Sequence, residues 1–137
     1  RTSGVMMKHN ANSEIVAGKN IILVDDSIVR GTTSRKIVTM MREAGAKTVH
    51  MRIASPPTTN PCFYGVDTPE KDKLMAAKLS VAEMCAEIGA DSLAFISIDG
   101  LYRAMGEKAR NPSLPQFCDA CFTGEYPVIE TSYNKIA

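Results

Sequence analysis

Two adjacent carboxylates and a Gly-Thr-Thr turn lie close together in the stretch Ile21–Val38, which reads IILVDDSIVRGTTSRKIV. Asp25 and Asp26 follow four apolar residues, and Gly31 precedes two threonines. A glycine turn at a helix N-terminus offers backbone N–H groups and hydroxyls to a phosphate. Because the carboxylates repel phosphate, they must meet another part of the ligand, either a pair of sugar hydroxyls or a hydrated Mg²⁺. A ribose 5-phosphate meets both requirements.

An acid pair after a strand can also be a solvated strand end or a helix cap. The preceding apolar run and the Gly-Thr-Thr turn favour a binding site instead. If a strand ends at Val24 and a helix starts near Thr33, Asp25–Thr32 lies at the carboxyl end of a parallel strand, where open α/β sheets bind ligands. For Arg30, a phosphate contact and a solvated loop position are equally consistent with the sequence.

Short apolar runs alternate with helical patterns, which is typical of a parallel α/β fold. The runs are rich in Val, Ile and Leu, as expected of strands covered on both faces. The predicted strands are Ile21–Val24, Val49–Ala54 and Leu93–Ile96.

Amphipathic patterns predict three helices between and after these strands. They are Thr33–Ala44, which Gly45 ends, Glu70–Ile88, which Gly89 ends, and the short Leu101–Met105. Residues Asn111–Ala137 have scattered Pro and Gly without a clear period, which predicts a loop-rich C-terminal extension.

Composition excludes several classes of protein. The 137 residues suggest one domain, and 16 basic against 15 acidic residues give a net charge of +1, which argues against nucleic acid as a partner. No apolar run approaches the roughly 20 residues of a membrane-spanning helix, and the N-terminus lacks a signal-peptide pattern. We therefore expect a cytoplasmic protein with no membrane partner.

The motif VDDSIVRGTT (Val24–Thr33) is a signature of type I phosphoribosyltransferases, and it resembles in particular the glutamine phosphoribosylpyrophosphate amidotransferases. The likeness continues over nearly the whole chain, in Arg42–Pro57, Asn60–Pro69, Glu87–Leu101 and Cys118–Pro127. The resemblance implies a parallel-sheet type I phosphoribosyltransferase fold, present here in part. Residues 1–110 would be the C-terminal part of that domain, and residues 111–137 an extension with a Cys-x-x-Cys motif.

The resemblance also implies a reaction and a site. Phosphoribosyl pyrophosphate and ammonia would give phosphoribosylamine and pyrophosphate, the first committed step of purine synthesis. Asp25 and Asp26 would bind the ribose hydroxyls and Mg²⁺, and the loop would bind the 5-phosphate. The implied substrate-binding set is Asp25, Asp26, Ser27, Val29, Arg30, Gly31, Thr32 and Thr33.

Three further residues bear on the implied chemistry. Relatives that use a purine base carry an acid at the position of Val29, so its apolar side chain agrees with ammonia as acceptor. Lys8 and Asn10, in VMMKHNAN, match a strand that faces the family's active site. We predict that they are catalytic contacts.

Members of this family begin with a glutaminase domain whose N-terminal cysteine attacks glutamine. The first cysteine here is Cys62, so we expect no glutaminase in these residues and no activity from them alone. The resemblance further implies purine nucleotides as inhibitors and a homo-oligomer. We expect a partial sheet of this kind to leave an open edge or apolar face.

The spacing of Cys118 and Cys121 allows two thiolates to bind one metal, although Cys-x-x-Cys also serves redox chemistry. One branch of the amidotransferases carries a [4Fe–4S] cluster, and the resemblance implies Cys62, Cys118 and Cys121 as three of its ligands, with the fourth outside this chain. Cys85 falls on an apolar helix face and is interpreted as an inert thiol. Structural roles are also predicted for His9, His50 and the eight methionines.

Two other classes of protein share paired acids. A phosphoryl-accepting receiver domain needs an acceptor Asp after a later strand, but SPPTTNPC follows Val49–Ala54 without an acid, which excludes it. A phosphoribosyl pyrophosphate-sensing domain of a regulator would keep the acids and the loop without turnover. The metal-type cysteines and the near-neutral charge favour the enzyme, and the sensing domain is the alternative.

Overall fold

The computed structural model describes residues 12–128, and their strands form one parallel sheet. The strand order is β1 (Asn20–Asp25), β2 (Thr48–Ile53) and β3 (Ser92–Phe95). β1 pairs with β2 along its whole length, and β2 pairs with β3 from His50 opposite Ser92 onward. The predicted α/β class and all three predicted strands are confirmed. Because the strands are parallel, their carboxyl ends meet at one edge.

Helices connect and flank these strands. Within residues 12–128 they are α1 (Ser13–Val16), α2 (Thr32–Glu43), α3 (Val81–Ile88), α4 (Ile98–Ala104) and α5 (Ala120–Thr123). α2 confirms the helix predicted at Thr33–Ala44, and α4 confirms the one predicted at Leu101–Met105.

The prediction of one long helix over Glu70–Ile88 was wrong. Its first half forms two single 3₁₀ turns, Lys71–Lys73 and Met75–Ala77, and α3 begins only after Ser80. Ser80 and Glu83 form a capping box, in which the Ser80 hydroxyl accepts from the Glu83 N–H and the Glu83 carboxylate accepts from the Ser80 N–H. This reciprocal cap fixes the helix start and overrides the apolar spacing before it.

The core lies between one face of the sheet and helices α2 and α3. Its buried members are Ile28, Val38, Val49, Met51, Ile53, Met75, Met84 and Ile88. The core interpretation of the methionines is confirmed for three of these residues, whereas Met105 is exposed.

The opposite face of β1 is open, so the prediction that the strands are covered on both faces was wrong for this strand. Ile22 is 66% exposed and Val24 is 77% exposed. The expectation that a partial sheet leaves an apolar face open is therefore confirmed.

Residues 111–128 consist of loops apart from α5, as predicted for the part of the extension that the structure describes. The division of the chain after residue 110 stays a prediction. Across residues 12–128, every helix is too short or too polar to cross a membrane.

Candidate functional site

A cleft of about 390 Å³ opens at the carboxyl end of β1. One wall is an unbroken stretch, residues 25–34, which we call the cleft loop. Asp67 and Pro69 complete the lining from a separate loop. The position after a parallel strand is where α/β folds bind ligands.

Local contacts orient the two acids of the cleft loop. The backbone carbonyl of Asp25 accepts from the Ala54 N–H at 2.9 Å, which keeps the end of β1 beside β2. The Asp25 carboxylate accepts from the Asp26 N–H at 3.0 Å, and the Asp26 carboxylate accepts from the Ser27 hydroxyl at 3.1 Å. Each carboxylate is thus oriented by a bond from the next residue, and both line the cleft, with Asp25 half-buried and Asp26 exposed.

The rest of the cleft loop is held by the core and by a backbone hydrogen bond, and it leads into the N-terminus of α2. Ile28 is buried in the core, and the Met75 N–H donates to the Val29 carbonyl at 2.8 Å. Gly31 has a φ of 75° and caps α2 with its backbone. Among the described residues, no side chain caps α2 and its first turn carries no acid. Its first N–H groups are therefore suited to an anion.

Three cysteines gather in a second place, which we call the cysteine region: Cys62, Cys118, Cys121 and the segments that carry them. The Cys121 carbonyl accepts from the N–H groups of Thr59 and Asn60, both at 3.0 Å. These bonds bring the chain before Cys62 against the Cys-x-x-Cys turn.

The surroundings of the Cys121 thiol disfavour its ionised form. Burial raises the pKa of the Cys121 thiol, and the nearby Cys62 and Cys118 raise it further. The Cys62 sulfur accepts from the Tyr64 N–H at 3.3 Å. Within residues 12–128, however, no three His, Cys, Asp or Glu side chains have the arrangement of a metal site. The cluster ligands stay a prediction.

Comparison with known proteins identifies close relatives of this chain over most of its length. No family model matches it. A curated relative from Rhizobium etli, named amidophosphoribosyltransferase, is 60% identical over 128 residues, which are 93% of this chain and 26% of the relative. Over these residues the chain matches the amidophosphoribosyltransferases. It spans about a quarter of the length of the curated relatives it matches.

Solved structures agree with this likeness. The glutamine phosphoribosylpyrophosphate amidotransferase of Bacillus subtilis, complexed with ADP and GMP, is 53% identical and superposes with a TM-score of 0.78 over 86% of this chain and 26% of its own. A structure described as the allosteric regulatory enzyme of purine biosynthesis is 54% identical, with a TM-score of 0.77 over 86% of this chain and 25% of its own. The predicted phosphoribosyltransferase fold and the resemblance to the amidotransferases are confirmed.

The structure brings together most of the predicted site. All eight residues of the implied substrate-binding set line the cleft: Asp25, Asp26, Ser27, Val29, Arg30, Gly31, Thr32 and Thr33. Their roles toward a substrate stay predictions. Lys8 and Asn10 lie outside the described residues, as does His9.

The predicted set lacks four residues that line the cleft: Ile28 and Ser34 within the cleft loop, and Asp67 and Pro69 on a separate loop. For the separate loop, the signal was present in Asn60–Pro69, whose motif carried the family resemblance but was assigned no role at the substrate. That loop also reaches the cysteine region, because the Cys62 N–H donates to the Thr68 hydroxyl at 2.6 Å.

The predictions of an inert thiol at Cys85 and a structural role for His50 agree with the contacts of these residues. The half-buried Cys85 thiol donates to the Ala90 carbonyl at 3.2 Å. The His50 ring nitrogens lie 2.8 Å from the Ser92 hydroxyl and 3.0 Å from the Thr48 hydroxyl. Both side chains thus have hydrogen-bond partners within the fold, His50 on β2 and β3 and Cys85 just beyond the end of α3.

Proposed function

We propose that this chain supplies the phosphoribosyl-binding part of an amidophosphoribosyltransferase. In the proposed reaction, ammonia replaces pyrophosphate at C1 of phosphoribosyl pyrophosphate and gives 5-phosphoribosylamine, at the first committed step of purine synthesis. The observation that carries the proposal is the cleft loop, which sets two carboxylates and an uncapped helix N-terminus around one cleft in a chain similar to the amidophosphoribosyltransferases.

The two ends of the cleft loop suit different parts of that substrate. The N-terminus of α2 carries a partial positive charge and free N–H groups for the 5-phosphate. Asp25 and Asp26, which both line the cleft, accept hydrogen bonds from the ribose hydroxyls. The half-buried, apolar Val29 offers no partner to a purine ring, which agrees with ammonia as the incoming group.

Catalysis in this proposal is positioning and electrostatics. Positive charge grows on the sugar as pyrophosphate leaves, and the two carboxylates stabilise it. Their oxygen atoms fit Mg²⁺ in kind. When bound, Mg²⁺ would neutralise charge on the departing pyrophosphate.

The cysteine region is proposed to hold a [4Fe–4S] cluster through Cys62, Cys118 and Cys121. The fit is one of donor type: three cysteine sulfurs on segments that backbone hydrogen bonds join, of which one already accepts a backbone N–H. A cluster bound there would supply a structural cross-link between the loop before Cys62 and the C-terminal extension.

The proposal extends to regulation and setting. The Bacillus subtilis relative is described as complexed with ADP and GMP, and we propose that purine nucleotides inhibit this protein, since a helix N-terminus suits the phosphate of a nucleotide as well as that of a sugar. Glutamine-derived ammonia, a homo-oligomeric assembly and a cytoplasmic location complete the proposal.

A binding titration on the protein at its natural length tests the site. We expect Asp25→Asn to weaken the affinity for phosphoribosyl pyrophosphate with Mg²⁺ by roughly 10- to 150-fold, since a hydrogen bond to a charged group contributes about 1.5–3 kcal/mol. Asp72→Asn is the matched control, because Asp72 is exposed and does not line the cleft. Unchanged affinity in Asp25→Asn would show that the site is assigned wrongly.

Pyrophosphate release with ammonia then separates the enzyme from the sensing domain. Binding with release supports the transferase. Tight binding without release, in a protein at its natural length, favours the sensing domain.

A further inference from the structure

The turn that carries Cys118 and Cys121 is organised around a buried carboxylate between them. Asp119 is only 4% exposed. One of its oxygens accepts from the Tyr102 hydroxyl at 2.9 Å and from the Arg110 Nε at 2.5 Å. The other accepts from the Arg110 Nη2 and the Thr123 hydroxyl, both at 3.3 Å. A buried charge persists only with such partners.

The partners of Asp119 are themselves fixed. Tyr102 lies in α4, is 2% exposed, and packs its ring 5.7 Å from that of Phe117. Arg110 has an 11% exposed side chain and also donates to Glu125 at 2.5 Å. The network therefore joins α4, the loop at Arg110 and the Cys-x-x-Cys turn.

The same turn is held by its backbone. The Asp119 carbonyl accepts from the N–H groups of Phe122 and Thr123. These bonds close the short helix α5, which follows Cys118 in the chain. The Cys121 carbonyl accepts from Thr59 and Asn60. These contacts use carboxylate, phenol, guanidinium and backbone groups, so they leave the two sulfur atoms available.

We propose that Asp119, held by Arg110 and Tyr102, is a positioning residue that presets Cys118 and Cys121 to bind one thiophilic metal centre together. The inference rests on the proposed function, in which these cysteines are cluster ligands. Presetting the turn removes the ordering cost that metal binding would otherwise meet. Residues that orient metal ligands change affinity by about 10- to 100-fold when they are replaced.

A purely structural role for Asp119 makes a different prediction. In that case Asp119→Asn lowers the stability of the fold, but the folded protein binds metal as before. The two roles are therefore separated by metal affinity measured on folded protein.

The first test is a Co²⁺ titration of the cluster-free protein at its natural length, followed by thiolate-to-cobalt charge-transfer absorption. We expect Asp119→Asn to weaken Co²⁺ affinity by about 10- to 100-fold. Glu125→Gln is the matched control: Glu125 contacts the same Arg110 but is exposed and lies outside the Cys-x-x-Cys turn, so its affinity should equal that of the wild type. Equal Co²⁺ affinity in folded Asp119→Asn and wild type overturns the proposal.

A second readout does not depend on the metal proposal. A trivalent phenylarsenical bridges two thiols that stand close together, with loss of both thiol protons as water. We expect the arsenical to bridge Cys118 and Cys121 more weakly in Asp119→Asn than in wild type. If the wild type gives no thiolate–cobalt absorption but shows this difference, the cluster proposal fails and the positioning role stands. If arsenical bridging is the same in both, the positioning role fails.

Tyr102→Phe covers the case in which Asp119→Asn does not fold. The change removes one donor to Asp119 and keeps the packed ring. We expect a smaller loss of Co²⁺ affinity than for Asp119→Asn, of a few-fold, and no loss in this variant counts against the proposal.

Discussion

The cleft loop and the cysteine region are built in different ways. The cleft loop is one continuous stretch, whose acids are oriented by bonds to immediate neighbours and whose turn leads directly into α2. The cysteine region joins segments more than fifty positions apart, and a buried ion pair holds its turn. The side chains of the two acids are thus oriented locally, whereas the Cys-x-x-Cys turn depends on distant parts of the chain. Each region should fail in its own way when its own support is removed.

The largest effect is expected from Arg110→Met. Removing the guanidinium leaves the Asp119 carboxylate buried without its charged partner, which costs about 3–5 kcal/mol. We expect urea unfolding to show this loss, and hydrogen exchange to place it in α4 and residues 117–125. Arg103→Met, at an exposed position at the end of α4, should cost less than about 1 kcal/mol. An equal loss of protection in the cleft loop would contradict the separation of the two regions.

The next effect is expected from Gly31→Ala in the cleft loop. A φ of 75° costs a non-glycine residue roughly 1–2 kcal/mol, and a Cβ here would overlap the sulfur of the buried Met75, which adds about 1–3 kcal/mol. Urea unfolding should therefore show a clear loss of stability, together with weaker binding of inorganic phosphate.

Gly18→Ala is the matched control for Gly31→Ala. Gly18 has a φ of 72° with nothing within 4 Å of an added Cβ, so only the conformational cost of roughly 1–2 kcal/mol is expected. Equal losses of stability in the two variants would mean that overlap with Met75 does not contribute to the loss in Gly31→Ala.

The same contrast explains how much could be predicted from the sequence. The strands, α2 and the whole cleft loop were predictable, because a short apolar run, paired acids and a Gly-Thr-Thr turn are local signals. The break before α3 was missed because apolar spacing over Glu70–Ile88 imitates a helix, while the capping box that decides the start uses only Ser80 and Glu83.

The support of the cysteine region was beyond prediction. Nothing in the spacing of Tyr102, Arg110 and Asp119 indicates that they meet, because their contact depends on how α4 and the extension pack. The resemblance identified the three cysteines, but it gave no reason for the Asp between two of them. Asp67 was likewise hidden, since its place at the cleft depends on the path of a loop from β2.

Two helix caps, each of which contributes about 1 kcal/mol to stability, allow the two regions to be compared through smaller effects. Ser80→Ala removes the cap of α3, which packs beneath the cleft loop, and Ser97→Ala removes the cap of α4, which carries Tyr102. Tyr102 is buried outside the core cluster between the sheet and α3. We therefore expect each variant to lower hydrogen-exchange protection mainly in its own region. Equal lowering in both regions would show one cooperative unit.

The smallest effect is expected from Asp91, whose charge helps to hold α2 against the sheet. Its carboxylate accepts from the Val49 N–H at 2.6 Å and from Arg42 of α2 at 2.9 Å. The Val49 N–H, and then the Arg42 side chain, lower the pKa of Asp91 in spite of partial burial. The lowered pKa means that the folded state favours the ionised form. The resulting stability is fully present above the unfolded pKa of about 4 and is lost as the pH falls through the lower folded value.

Asp91→Asn should therefore be less stable than wild type at neutral pH, with the gap closing as the pH falls below about 4. The gap should be small, because the side chain is 36% exposed and solvent screens its charge. Urea unfolding of both proteins from neutral pH to pH about 3 measures the gap, and a carboxyl NMR titration of Asp91 checks the pKa directly. A gap that stays constant across this range would mean that the shape of Asp91, and not its charge, holds α2 to the sheet. The packing of α2 against the sheet would then depend on side-chain shape, and the cleft would depend on packing as the cysteine region does.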